Sequence, residues 1–378
     1  MKIKNEFYLA LIIIFAGLLV RLYKINQPIL EFFPERQTET AEMTRNIYRN
    51  GWVDFWTPKI RYAQGHPTPL VLEFSVYNVI VALMYKLLGA NLIYGRLLSI
   101  LSYCSSSVFF YLILRKYIPM GTARMSLLFF VFSPIHILTS RSFQPDEFAL
   151  MLLLASIYFD SVIILGLAAL VKLPSAIFGL LLAFPNRLKK FDIRTRLLLI
   201  LLSSIPVIVW SLRASLIMKG DIYGGNYSLA NWFNPLSFID YKWYLSTFQI
   251  LQINVLSTFG LFLFIIGIFT NLKNAKLKFW FLWLILGAIY AIVFNQHIAT
   301  HEYYHLLFIP PLSIFVGLGL GEIIGLFKAL PKYFRYLATT LVVALFVVGL
   351  VIPAISKITY PTKISETLRT RYQQVQDF

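Results

Sequence analysis

Three short stretches of this chain hold the residue types that perform acid–base chemistry. The first, "EFFPERQTETAEMTRNIYRNG" (31–51), carries Glu31, Glu35, Glu39 and Glu42, in a chain with 34 Lys+Arg against 17 Asp+Glu. The second, "SRSFQPDEF" (140–148), sets Arg141, Asp146 and Glu147 between two apolar runs. The third, "NQHIATHEYYHLLFIPPL" (295–312), holds His297, His301, Glu302, Tyr303 and His305. Lys172, in "LVKLPSA", also stands between apolar runs. A carboxylate within reach of a hydroxyl can take its proton as general base. A cation facing a departing anion stabilises the charge that develops. Ionisable groups at a membrane boundary are costly, which makes each a functional candidate.

Each candidate also has a plainer reading. Asp146 can cap the helix that follows it. Lys172 can snorkel to the interface or meet a phosphate. "HEYYH" matches H-E-x-x-H, in which two histidines hold zinc and the glutamate acts as base. A membrane zinc protease would bring a third ligand from an "LDG"-like element, and none exists here. Pro310-Pro311 would also kink the helix carrying the pair.

These residues need elements to position them. Pro34 suits the first turn of a helix. From there Glu35, Glu39, Glu42, Asn46 and Arg49 share one helical face, while Ala41, Met43, Ile47 and Tyr48 form an apolar one. The spacing predicts an amphipathic helix over 34–50, turned at Asn50-Gly51. The chain as a whole is 58% hydrophobic and 13% charged, against about 25% charged in soluble domains. Runs such as "LATTLVVALFVVGLVI" approach the roughly 20 residues that span a bilayer. The expected fold is therefore all-α and polytopic, a single transmembrane domain over 1–378 with about nine to eleven crossings. The first run is read as a retained anchor, because "VRLYKINQP" shows no cleavage site. Cys104 is the single cysteine, which excludes an intrachain disulfide and a cysteine metal cluster. The net charge of +17 does not point to nucleic acid. Its Lys and Arg sit at the ends of apolar runs, as the positive-inside rule expects.

That rule places "RKYIPMGTAR" (115–124), "NRLKKFDIRTR" (186–196), "NLKNAKLK" (271–278) and "KALPKYFR" (328–335) inside with the N-terminus. The outside then holds a long first loop over 24–96, the segments 140–147, 214–250 and 295–304, and a tail over 354–378. Parity between 1–5 and 115–124 requires that one of 6–23, 68–88 and 97–114 not cross. Segment 68–88 contains Glu73 and Lys86 and is expected to lie at the interface or re-enter. Region 146–185, divided by Asp160 and "VKLP", reads as three short crossings or as one crossing with a re-entrant hairpin. The acids and histidines thus collect on the outer side.

In this order the pieces resemble the GT-C class of membrane glycosyltransferases, of the protein O-mannosyltransferase and aminoarabinose transferase type, over roughly 6–325. The residues that carry the resemblance are "PERQTETAEMTRNIYRNGW", "GHPTPL" (65–70), "GRLLSILSYCSSSVFFYLILRKY", "SPIHILTSRSFQPDEFALMLLLA", "LGLAALVKLPSAIFGLLL" and "HEYYHLLFIPPLSIFVGLGL". The resemblance implies a polyprenyl-phosphate sugar donor, transfer with inversion at the outer membrane face, and membrane lipids as surroundings. The acceptor, whether glycan, lipid or protein, stays open. Glu35 is the expected general base, with Asp146 sharing its site. Arg36, Arg61, His66, Arg141, Glu147, Lys172, His301, Glu302 and Tyr303 are the expected substrate-binding residues. No cofactor is certain from the sequence; Asp146, Glu147 and His301 are of the types that could hold a divalent metal ion. The chain departs from the family in having Arg36-Gln37 where an Asp-Glu pair is usual, which leaves Glu31 and Glu39 as alternates to Glu35. A transporter or flippase is the competing class. It would show internal repeats and paired broken helices, and the sequence shows no repeat.

Overall fold

The computed structural model describes residues 2–61, 67–183, 193–219, 232–359 and 366–376. The protein is all-α and polytopic. Six helices among the described residues are long and apolar enough to cross a membrane: Ile93–Leu114, Ile193–Met218, Tyr241–Phe269, Ala275–Val293, Glu302–Ala329 and Lys332–Thr359. Only 22% of the 18-residue apolar stretch of Ile193–Met218 and 17% of that of Lys332–Thr359 is buried inside the protein. The Leu, Ile and Val side chains on their free faces therefore need lipid around them.

The first half of the chain runs through α1 (Lys2–Leu22), α2 (Pro34–Asn50), α3 (Trp52–Trp56), α4 (Val76–Leu88), α5 (Ile93–Leu114), α6 (Met120–Phe132), α7 (Pro134–Thr139), α8 (Asp146–Phe159), α9 (Val162–Val171) and α10 (Ile193–Met218). Helix α4, inside the segment expected not to cross, has 13 residues. At 1.5 Å per residue it is about 20 Å long, short of the roughly 30 Å hydrocarbon core. Region 146–185 breaks into α8, α9 and a 3₁₀ helix over Leu173–Ala183. Asp160 breaks the chain there by taking a left-handed conformation (φ 59°). Two short strands, β1 (Lys59–Arg61) and β2 (Pro67–Pro69), pair antiparallel. The sequence did not suggest them, because prolines in both positions of β2 argue against a strand except at an edge.

The chain forms two compact units. One comprises Met1–Arg21, Cys104–Ile137 and Pro235–Ser356. Its helices meet through glycines. A Cβ on Gly319 would strike the Leu263 carbonyl, and one on Gly267 the Phe315 carbonyl. The helices Ser257–Phe269 and Ile309–Leu326 thus touch backbone to backbone, the usual device between helices in lipid. Arg21 is fully buried and donates to the carbonyls of Gly17 (3.0 Å) and Val131 (3.1 Å).

The other unit comprises Leu22–Tyr103, Leu138–Asn234 and Lys357–Phe378. Its core joins Ile29, Ala41, Tyr77, Tyr85, Phe143, Ala149 and Val171 with Val375 of the C-terminal helix Glu366–Gln376. Helix α2 lies inside this unit. Asn78 of α4 donates to Thr40 O and Thr44 Oγ1, both at 2.9 Å. Arg36, Gln37, Thr38, Thr40, Glu42, Thr44 and Arg45 are buried beside Ala41, Met43 and Ile47. The helix is thus covered on the flank of Arg36, Thr40 and Thr44 as well as on its apolar side, while Glu35 and Arg49 stay exposed and Glu39 and Asn46 half-buried along its acidic face.

Candidate functional site

The loop Tyr23–Phe33 and helix α2 are built around Glu31. Its carboxylate accepts from Arg96 Nη2 (3.0 Å) and Arg141 Nη1 (3.2 Å), with all three side chains buried. The arginines also tie down the loop backbone. Arg96 donates to the carbonyls of Ile25 (2.6 Å), Gln27 and Pro28 (3.1 Å). Arg141 donates to those of Tyr23 (2.8 Å) and Lys24 (3.3 Å). Each arginine gives Glu31 one charge-assisted hydrogen bond, a class roughly twice as strong as neutral ones. Burial pushes the Glu31 carboxyl above the ordinary carboxylate range, with Arg96 and Arg141 pulling against it.

At the start of α2, Pro34 sits in the first turn, as its missing N–H allows. Phe33 before it is left-handed (φ 63°, ψ 48°), a region that bulky residues avoid. Gln37 holds that turn. Its Nε2 donates to Phe32 O (2.9 Å) and its Oε1 accepts from Phe143 N (2.9 Å). Arg36 pairs with Glu73. The two positions where an Asp-Glu pair would be usual thus carry a clamp and an ion pair. Glu35 stands between Pro34 and Arg36 with an exposed side chain. Glu39 is half-buried, and Glu42 pairs with Arg45 (3.4 Å).

The second acidic segment is buried throughout. Asp146 Oδ1 accepts from Lys172 Nζ at 2.7 Å, with both side chains largely buried. Pro145 takes the N-cap position of α8 and no side chain caps the helix. Asp146 is its first residue and turns to Lys172 instead, so the capping role read from sequence is not the one it plays. Its Oδ2 has no partner among the described residues. Two residues earlier, the fully buried Gln144 has neither end of its amide paired among the described residues. Glu147 is fully buried. His66 and the Arg61 side chain lie outside the described residues.

The histidine segment belongs to the other unit and is described by itself. "HEYYH" is not α-helical: His301 caps a 3₁₀ helix over Glu302–Phe308. At three residues per turn, positions i and i+4 do not share a face, and here His301 is exposed while His305 is buried. The two histidines are therefore not the i, i+4 pair of an α-helix, and the next helix begins at Ile309 with Pro310 in its first turn. Glu302 Oε1 accepts from Asn254 Nδ2 at 2.7 Å. Asn254 lies in a π-helical turn, Ile250–Leu256, a feature frequent at functional sites. His301 stacks on His297 and meets the edge of Tyr303, at ring distances of 5.3 and 5.6 Å.

The structure thus brings Arg141 to Glu31, Arg36 to Glu73 and Asp146 to Lys172. Sequence reasoning missed Arg96, Glu73, Gln144 and Asn254 as partners. Arg96 opens an apolar helix and looks like any span-end arginine. Asn254 is an amide inside an apolar run, which is a signal. Among the described residues no group of three or more His, Cys, Asp or Glu lies close enough to hold a metal ion.

No protein-family model matches the chain, and no curated protein matches it by sequence. Its fold is similar to that of solved membrane proteins. One is ArnT from Cupriavidus metallidurans bound to undecaprenyl phosphate (TM-score 0.58, 16% identity, covering 97% of this chain and 73% of that one). Another is the archaeal oligosaccharyltransferase AglB from Archaeoglobus fulgidus, in complex with an inhibitory peptide and a dolichol-phosphate (TM-score 0.63, 11% identity, covering 97% and 57%). The chain spans a little over half the length of AglB. At these identities the likeness establishes the shared fold.

Proposed function

We propose that this protein transfers a sugar from a polyprenyl-phosphate donor to an acceptor hydroxyl at the outer membrane face, with inversion, and that Glu35 is the general base. The observation that carries the assignment is the state of the neighbouring acids. Glu31, Glu42 and Glu73 are each held by arginine. Glu35 is exposed and makes no ion pair or side-chain hydrogen bond among the described residues. A carboxylate committed to an ion pair is not free to approach an acceptor hydroxyl, whereas an exposed one can come within hydrogen-bond reach of it.

In the proposed reaction the acceptor oxygen forms a bond to the anomeric carbon as the bond to the donor phosphate breaks. The hydroxyl proton passes to Glu35. The electron pair leaves with the polyprenyl phosphate, whose charge Lys172 and Arg36 stabilise once they exchange their carboxylate partners for it. The unpaired Asp146 Oδ2 and the Gln144 amide are available to donor hydroxyls. Asp146 has an ammonium as its counter-ion. The two lipid-phosphate complexes of similar fold support the donor class.

The test is consumption of a labelled polyprenyl-phosphate sugar by protein reconstituted in liposomes with a membrane extract as acceptor source. Glu35→Gln should lower turnover about 10²–10⁴-fold, the usual worth of general acid–base help. Polyprenyl phosphate should bind it as it binds the wild type. Full turnover by Glu35→Gln would remove Glu35 from the role.

A further inference from the structure

The unit that carries the acids also has a cavity of about 350 Å³, walled by the C-terminal helix Glu366–Gln376 on one side and the loop around residues 25–29 on the other. It lies within the roughly 300–1,000 Å³ of ligand pockets. Its polar lining consists of Asn26, Gln27, Asn91, Arg96, Tyr372 and Gln376. We propose that this cavity is a carbohydrate-binding site that seats a neutral sugar of the acceptor. The proposal rests on the transferase reading for the word acceptor, but not for the binding itself.

The chemistry of the lining sets the ligand class. Four of its six polar side chains are amides, which both donate and accept, as sugar hydroxyls do. Asn26 is exposed, and its amide makes no hydrogen bond among the described residues. Asn91 spends only its Oδ1, on Ile93 N (2.9 Å). Gln376 Nε2 donates to Tyr372 Oη (2.8 Å), which leaves its oxygen as an acceptor. The Tyr372 ring, half-buried, offers an aromatic wall of the kind that takes an apolar face and keeps a polar edge wet.

An anion fits less well. Arg96 is the one cation of the lining, and both its terminal nitrogens are committed to Glu31 and to three carbonyls. Only its Nε is without a partner among the described residues, and the side chain is almost wholly buried. A phosphate is held by free forked donors, whereas a single N–H suits a hydroxyl.

The C-terminal helix is fixed independently of any ligand. Val375 is fully buried in the core that holds Ala41 and Tyr77, so Tyr372 and Gln376 are presented to the cavity by a docked element. Because α2 belongs to the same core, the pocket and Glu35 share one rigid support.

The experiment uses the full chain in detergent micelles. Saturation-transfer NMR would monitor a panel of soluble neutral oligosaccharides (glucan, mannan and chitin fragments), with inorganic phosphate as competitor. At least one oligosaccharide should bind, phosphate should not displace it, and Asn26→Leu and Gln376→Leu should each weaken it tenfold or more. Both side chains are exposed, so these variants keep the fold. Tyr372→Ala should abolish binding, and trypsin cleavage after Arg369 would reveal whether it has undocked the helix. Three outcomes would overturn the proposal: silence from the whole panel, displacement by phosphate, or binding untouched by the Asn26 and Gln376 variants. Donor consumption is scored separately. Glycan binding without it refutes the transferase reading alone, and donor consumption without glycan binding refutes the pocket alone.

Discussion

Substituting Glu31 by glutamine puts a number on the buried charge network. The change keeps the shape of the side chain and removes its charge. It takes from Arg96 and Arg141 the carboxylate they share, at side-chain exposures of 2% and 1%. Removing one partner of a buried ion pair costs about 3–5 kcal/mol. Arg96 and Arg141 also fasten the carbonyls of residues 23–28, so the loss falls on that loop before it falls on the whole fold. Lys24 lies there, exposed and left-handed (φ 52°), and its own carbonyl accepts from Arg141.

Trypsin cuts at that carbonyl, and an enzyme can take it only when the hydrogen bonds open. When opening is fast, cleavage tracks the population of the open form. At 1.4 kcal/mol per factor of ten, the loss makes cleavage after Lys24 about 10²–10⁴-fold faster. The site after Lys276, exposed and in the other unit, serves as internal control. If Glu31→Gln is cut after Lys24 at the wild-type rate, the network does not hold the loop. If both sites accelerate together, the damage is global and the local argument fails.

Other outcomes follow from the same geometry. Cysteines at Asn26 and Thr300, both exposed, should react with an impermeant thiol reagent from outside in a Cys104→Ser background. Protection of both in intact cells would invert the topology read from the Lys and Arg distribution. Gly319→Leu should prevent accumulation of folded protein, because its side chain would enter the Leu263 carbonyl; Gly321→Leu, with only Met125 Sδ at 3.8 Å, should be recovered normally by size-exclusion chromatography. His301→Ala should lower donor consumption with the melting temperature unchanged, whereas His305→Ala, at a buried site, should lower the melting temperature; equal activity losses with zinc bound one to one would return the zinc reading.

How much of this was legible in the sequence depended on the range of the forces involved. Helix α2 was readable to the residue at both ends. A proline in a first turn and an Asn-Gly at the close are local signals, and Gly51 takes the positive φ (63°) that its lack of a Cβ allows. The burial of its flanks was not readable, because the groups that cover them come from far along the chain: Glu73 for Arg36, Asn78 for Thr40 and Phe143 for Gln37. The same limit explains Asp146. Its position before an apolar run reads as a cap, and only the return of the chain at Lys172 reveals an ion pair.

Charge counting gives the deeper reason why the opening loop holds so many acids. Arg36, Arg45, Arg96 and Arg141 are all buried in this unit, and a buried guanidinium is tolerated only with a counter-charge. Glu73, Glu42 and Glu31 supply it, with Glu31 shared between two arginines. Those acids are consumed by structure. Glu35 makes no ion pair among the described residues, and the proposed role as general base is the reason for it that remains to be tested. A Glu35→Gln protein that folds, binds polyprenyl phosphate and fails to turn over would separate the one acid kept for chemistry from those kept for the arginines.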